Sequence, residues 1–172
     1  MEVPLFMLDA YIAFALLLLG LVAFGAVRAW LRTPPSPRVV VIALSLWLIA
    51  LLSMTLRPAG GQMRLNLTPV FFLGYWSPFD TIANMAVFLP LGLLLAVAQW
   101  RVLPTIATGL GVSLGIEVMQ FLLPLGRAAD VNDLMTNVTG TALGWLAAWA
   151  IMRLRAARPV GRTGTEPPTA RS

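Results

Sequence analysis

The run VVVIALSLWLIALLSMTL, residues 39–56, holds eighteen consecutive positions without a single Asp, Glu, Lys or Arg. At a helical rise of roughly 1.5 Å per residue it is long enough to cross the hydrocarbon of a bilayer. Working outward, four further apolar runs occupy residues 8–27, 82–98, 102–123 and 134–152. Hydrophobic residues make up 59% of the chain and charged residues 11%, well under the roughly 25% charged that soluble domains carry. Lipid offers no partner for backbone N–H and C=O groups, and these runs lack the alternation of barrel strands. The expected fold is therefore all-α, a polytopic transmembrane helical bundle of about five spans. The first run has no Lys or Arg before it and no small-residue cleavage pattern after Gly25, so it reads as a retained span.

The chain has no Cys, His or Lys. That removes disulfides, thiol nucleophiles, nitrogen or sulfur zinc sites, haem ligation, and Ser-His or Ser-Lys catalysis. Chemistry in this protein has to come from carboxylates, amides, hydroxyls and Arg. No metal ligand set and no cofactor is expected.

The twelve Arg residues divide unevenly between the loops. Arg28, Arg32 and Arg38 follow the first run, Arg101 lies between the third and fourth, and Arg153, Arg155, Arg158, Arg162 and Arg171 follow the fifth. Only Arg57, Arg64 and Arg127 fall on the other side. The positive-inside rule then predicts a multi-pass protein of the cell membrane with its N-terminus outside and its C-terminus in the cytoplasm. The net charge of +5 reads as contact with anionic headgroups, so membrane lipids are expected partners and nucleic acid is not. Three segments follow: residues 1–37, the first span and its loop; 38–153, the main transmembrane domain; and 154–172, a tail rich in Arg, Pro and Thr that is expected to be disordered. The stretch 57–79 is the one long loop. Its Phe71, Phe72, Tyr75, Trp76 and Phe79 favour an aromatic belt at the outer interface over a lip for an amphiphile. No internal repeat of the kind transporters carry is visible, and a homo-oligomer stays open.

Of seven acidic residues, Asp80, Glu117, Asp130 and Asp133 fall in or beside the last three runs. Charge at membrane depth is costly, so such residues usually face the bundle interior. Asp80, Asn84 and Phe88 recur every fourth residue; Ser113, Glu117 and Gln120 recur at four and three. Asp130, Asp133, Asn137, Gly140 and Gly144 continue the rule, with both acids placed in the first turn of the fifth helix. Arg127 follows Pro124 and Gly126 and is expected to reach several of these carboxylates. Four acids and one Arg sum to minus three, which calls for a bound cation, protonated acids, water access, or a structural network joining three helices. Gly111 with Gly115, and Gly140 with Gly144, have the spacing of close helix packing. Pro90 is expected to kink the third helix.

Asp80, Asn84, Phe88, Pro90, Gly92, Glu117, Gln120, Arg127, Asp130, Asp133, Asn137, Gly140 and Gly144, together with Asn66 and Pro69, resemble the pattern of VanZ-like membrane proteins over about residues 40–150. The first span and the Arg-rich tail fall outside the resemblance. It implies kinship with a protein from a glycopeptide-resistance gene cluster, associated with low-level teicoplanin resistance. The expectation is a non-enzymatic envelope protein that binds an amphiphile, a lipid-linked precursor or lipoglycopeptide, at an outer-facing polar pocket. The candidate residues are Asp80, Asn84, Glu117, Gln120, Arg127, Asp130, Asp133 and Asn137. The alternative is an enzyme acting on a lipid phosphate or polyprenyl diphosphate through Mg²⁺ held by the acids. A proton-coupled transporter using Glu117 is the weakest reading.

Overall fold

The computed structural model of the protein describes residues 5–58, 64–69 and 78–157. Five helices carry the fold: α1 (Leu5–Leu31), α2 (Pro37–Thr55), α3 (Pro78–Val97), α4 (Val102–Leu122) and α5 (Val131–Ala156). Among the described residues, α2, α3, α4 and most of α1 are long and apolar enough to cross a membrane. At 26 residues α5 is as long, but its first half carries Asn132, Asp133, Thr136, Asn137, Thr139 and Thr141. Asp133 bonds Asn84 of α3, Asn137 bonds Ser113 of α4 and Thr141 lies against Gly109 of α4, while the Thr136 and Thr139 hydroxyls donate to carbonyls of α5 itself.

Helix ends follow local chemistry. Pro37 opens α2, where its missing N–H has no helical partner to lose. α1 and α3 end on non-glycine residues in the left-handed region, Arg32 at φ 55° and Gln99 at φ 67°. Behind Gln99, its own N–H reaches Ala96 at 2.9 Å and the Trp100 N–H reaches Leu95 at 2.9 Å, which occupies the last free carbonyls of α3. The α5 helix continues to Ala156, so residues 154–156, assigned to the tail from sequence, are helical. The rest of that tail, from residue 158, lies outside the described residues, as do Phe71, Phe72, Tyr75 and Trp76. Phe79 is described and is 79% exposed.

The central helix is α3, with every residue from Pro90 to Val97 buried. It runs parallel to α5. A Cβ on Gly140 would strike the Met85 carbonyl, one on Gly144 the Leu89 carbonyl, and one on Gly92 the Thr141 carbonyl. Backbone therefore meets backbone along this seam. α4 runs antiparallel to α5, with Gly109 against the Thr141 side chain, where an added Cβ would lie 2.5 Å from the hydroxyl. Gly111 and Gly115 are a correction: a Cβ at either would meet nothing within 4 Å. The close approach uses Gly109 because it lies on the same face of α4 as buried Ser113 and Ile116, whereas Gly111 and Gly115 point away. α3 continues as one helix through Pro90. Trp47 of α2 packs edge-on against Phe88, with centroids 5.4 Å apart, and its indole N–H donates to the Val87 carbonyl at 2.8 Å.

The stretch expected as a plain loop also holds a strand. β1 (Arg64–Asn66) pairs in parallel with β2 (Ala128–Asp130), in the register Leu65 to Ala129 and Asn66 to Asp130. This two-stranded clip ties the loop before α3 to the start of α5. At the same end Arg57 lies over the Tyr11 ring, while at the opposite end Arg155 lies over Trp30 and Arg153 over Trp149.

Candidate functional site

A cavity of about 140 Å³ opens where the five helices approach the clip. Phe14 of α1 and Leu51, Met54 and Thr55 of α2 form its apolar side, with Phe88 and Ile116. Its polar wall comes from Asn84 of α3, Glu117 and Gln120 of α4, Arg127 of the turn, and Asp133 and Asn137 of α5. Six of the eight residues singled out from sequence thus share one space. The periodicity explains it: Ser113, Glu117 and Gln120 are all buried on one face of α4, and Asn137, Gly140 and Gly144 on one face of α5.

The remaining two lie apart from it. Asp80 is exposed in the first turn of α3, one turn before Asn84, and does not line the cavity. Asp130 is the N-cap of α5 rather than a first-turn residue, because pairing in β2 holds it extended at φ −130° and ψ 123°. Its carboxylate accepts from the Asn132 backbone N–H at 2.8 Å, the Asn132 amide at 2.6 Å and the Asn66 amide at 3.0 Å. That satisfies an otherwise open N–H of the helix start.

The other carboxylates are also held by amides. Asn84 donates to Asp133 at 2.6 Å, and the backbone N–H of Asp130 donates to Glu117 at 2.8 Å. Asn137 donates to Ser113 at 2.9 Å, and Gln120 donates to the Thr55 carbonyl at 3.0 Å. Arg127 corrects the expectation of a direct ion pair. Gly126, at φ 64°, turns the chain so that the Arg127 Nε donates to the Arg57 carbonyl at 2.9 Å. Among the described residues no carboxylate lies within 4.0 Å of its guanidinium. No group of three or more Asp and Glu stands close enough together to hold a metal ion, again among the described residues.

Sequence reasoning did not assign Asn132 and Thr55 to the site, and it quoted Asn66 without a role. An Asp-Val-Asn step before an apolar run is an N-cap signal, so Asn132 was within reach. Asn66 depends on a strand register that three residues do not announce.

Beside the cavity lies a second recess of about 250 Å³, lined by Leu65, Leu67, Leu114, Val118, Phe121 and Leu134 among others. Its wall is almost wholly apolar because it is cut into the outward face of α4, where Leu114, Val118 and Leu122 are exposed. Glu117 lines both spaces, and Asp130 lines the second, which is the groove.

Residues 10–153 match the profile of the family described as VanZ/LLP1. The chain belongs to the VanZ/LLP1 family. Over 85 residues the chain is 40% identical to Protein VanZ of Enterococcus faecium, covering 48% of this chain and 51% of that relative. The aligned stretch is thus about half of the curated relative's length. No solved structure matches at a significant level. The VanZ/LLP1 match takes in most of α1, which the quoted motif residues left outside. In the fold α1 packs on the central helix: a Cβ on its buried Gly25 would sit 3.1 Å from that of Leu93. All eight polar residues of the site lie inside the matched region.

Proposed function

We propose that this VanZ/LLP1 protein binds an amphiphilic envelope ligand, a lipid-linked precursor or a lipoglycopeptide, with its chain in the groove and its polar end in the cavity. The observation that carries this reading is Glu117, which lines the apolar groove on one side and the polar cavity on the other. Ligand sites combine apolar walls with a few converging polar groups, and here the two are split between adjoining spaces in the proportions of an amphiphile. The excess of Arg on the α1–α2, α3–α4 and C-terminal segments supports an orientation with the cavity end in the outer leaflet and the C-terminus inside. Capture of an acylated glycopeptide, or of its lipid-linked target, at that leaflet would connect the site to teicoplanin resistance.

The test is photo-crosslinking with a lipid that carries a diazirine in its acyl chain, on the full-length protein in native-like bilayers. Labelled peptides should come from Leu114 to Leu122 and from the Leu65 to Leu67 segment. Labelling spread evenly over all outward helix faces would refute a specific groove. A reporter fused after Arg158 should be active only in the cytoplasm; activity only outside would invert the site's leaflet.

A further inference from the structure

The polar end of the cavity is selective in what it offers. Glu117, 8% exposed, receives one N–H, from Asp130; Asp133 receives one, from Asn84. Among the described residues no donor reaches the second oxygen of either carboxylate, or the side-chain oxygens of Asn84, Gln120 and Asn137. A carboxylate only accepts hydrogen bonds, and none of these free oxygens is sealed in protein, since among the described residues the one buried side-chain polar atom without a partner is Arg28 Nε; they open to the cavity and wait for a donor from a ligand. Among the described residues the one cation that faces the cavity, Arg127, is anchored at the rim: its Nε donates to the carbonyl of Arg57, which lies beyond the end of α2. Glu117, by contrast, lies five residues inside the end of α4. Asp133, in the first turn of α5, stands nearer the clip, so the cavity carries two acids at different depths and several free acceptors against one Arg anchored at the rim.

Building on the amphiphile reading, we propose that the polar end of the ligand carries a primary ammonium group, received by Glu117 and Asp133. An ammonium has three N–H donors and a positive charge, so it supplies both of the missing features. A quaternary ammonium keeps the charge and has no N–H. A phosphate joined to the amine would fall toward Arg127, which separates an amino-phospholipid from an amine-bearing amphiphile without phosphate.

Native mass spectrometry of the full-length protein tests this, using phosphatidylethanolamine, phosphatidylcholine and phosphatidylglycerol with identical acyl chains, and dodecylamine. Retention of phosphatidylethanolamine should exceed that of the other two phospholipids by about fivefold or more, and dodecylamine should compete with it. The double variant Glu117→Gln, Asp133→Asn keeps the shapes and the acceptor for Asp130, and should bring phosphatidylethanolamine retention down to that of phosphatidylcholine. Arg127→Gln should weaken phosphatidylethanolamine and spare dodecylamine if the natural ligand is a phospholipid, and affect neither if it is an amine without phosphate. Equal retention of phosphatidylethanolamine and phosphatidylcholine by the parent would overturn the ammonium assignment. Leu114→Trp, which fills the groove, should lower retention of every lipid. If it changes none, the amphiphile site itself is wrong, whatever the headgroup.

Discussion

The same two helices, α3 and α5, behave in opposite ways at two levels of the bundle. From Met85 and Gly140 inward they close until carbonyls lie where a Cβ would be; at the outer end of that seam Asn84, the residue before Met85, reaches Asp133, seven residues before Gly140, across a cavity. In lipid no hydrophobic force separates the two arrangements, and packing together with interhelical hydrogen bonds decides. Glycine lets the backbones meet, whereas Asn, Asp and Glu keep them apart and supply polar lining. The opening is thus specified by residue choice, and the seam below keeps it from collapsing or spreading.

Breaking the seam should have the largest effect. Gly92→Ala or Gly144→Ala puts a methyl into a backbone carbonyl and should cost more than about 4 kcal/mol, seen as loss of folded protein on extraction. At the cavity, Glu117→Ala should cost about 1–3 kcal/mol, because it strands the Asp130 N–H; thermal unfolding in detergent checks this, and Glu117→Gln should restore most of it. Arg127→Ala should cost only about 1 kcal/mol, since the guanidinium holds one carbonyl and no carboxylate among the described residues. Gly111→Ala and Gly115→Ala sharpen the comparison from the other side: with the GxxxG spacing but open space around them, they should stay within about 0.5 kcal/mol. Mg²⁺ titration should leave the melting temperature of the parent and of Asp133→Asn unchanged. A saturating stabilisation of the parent that the variant lacks would favour the metal-dependent enzyme.

The spans were legible because lipid imposes a length and a composition on each helix, as residues 39–56 show without ambiguity. The polar stripes were legible because a period of three to four residues fixes which side chains share a face, which is why Glu117, Gln120 and Asn137 were found together. The helix-facing role of Gly111 and Gly115 was misread because spacing alone does not say which face of α4 meets a neighbour. Arg127 was misjudged because its direction depends on the left-handed turn at Gly126, and Asp130 because a three-residue strand pairing overrides the helical register. Both depend on contacts about 64 to 70 residues away in the chain, with Asn66 and Arg57. The apolar run of the fifth helix, 134–152, starts three residues inside α5 because its polar first turn resembles a loop when read for hydropathy, whereas the spacing of Asp130 and Asp133 located the helix start to within a residue.

The most direct test of the account is the lipid retained by purified protein after exhaustive detergent washing, measured for the parent, for Leu114→Trp in the groove and for Leu103→Trp on an outward position of α4 away from it. The account predicts tightly held amphiphile in the parent and in Leu103→Trp, and a severalfold loss in Leu114→Trp at unchanged thermal stability. Equal retention in all three proteins would contradict it.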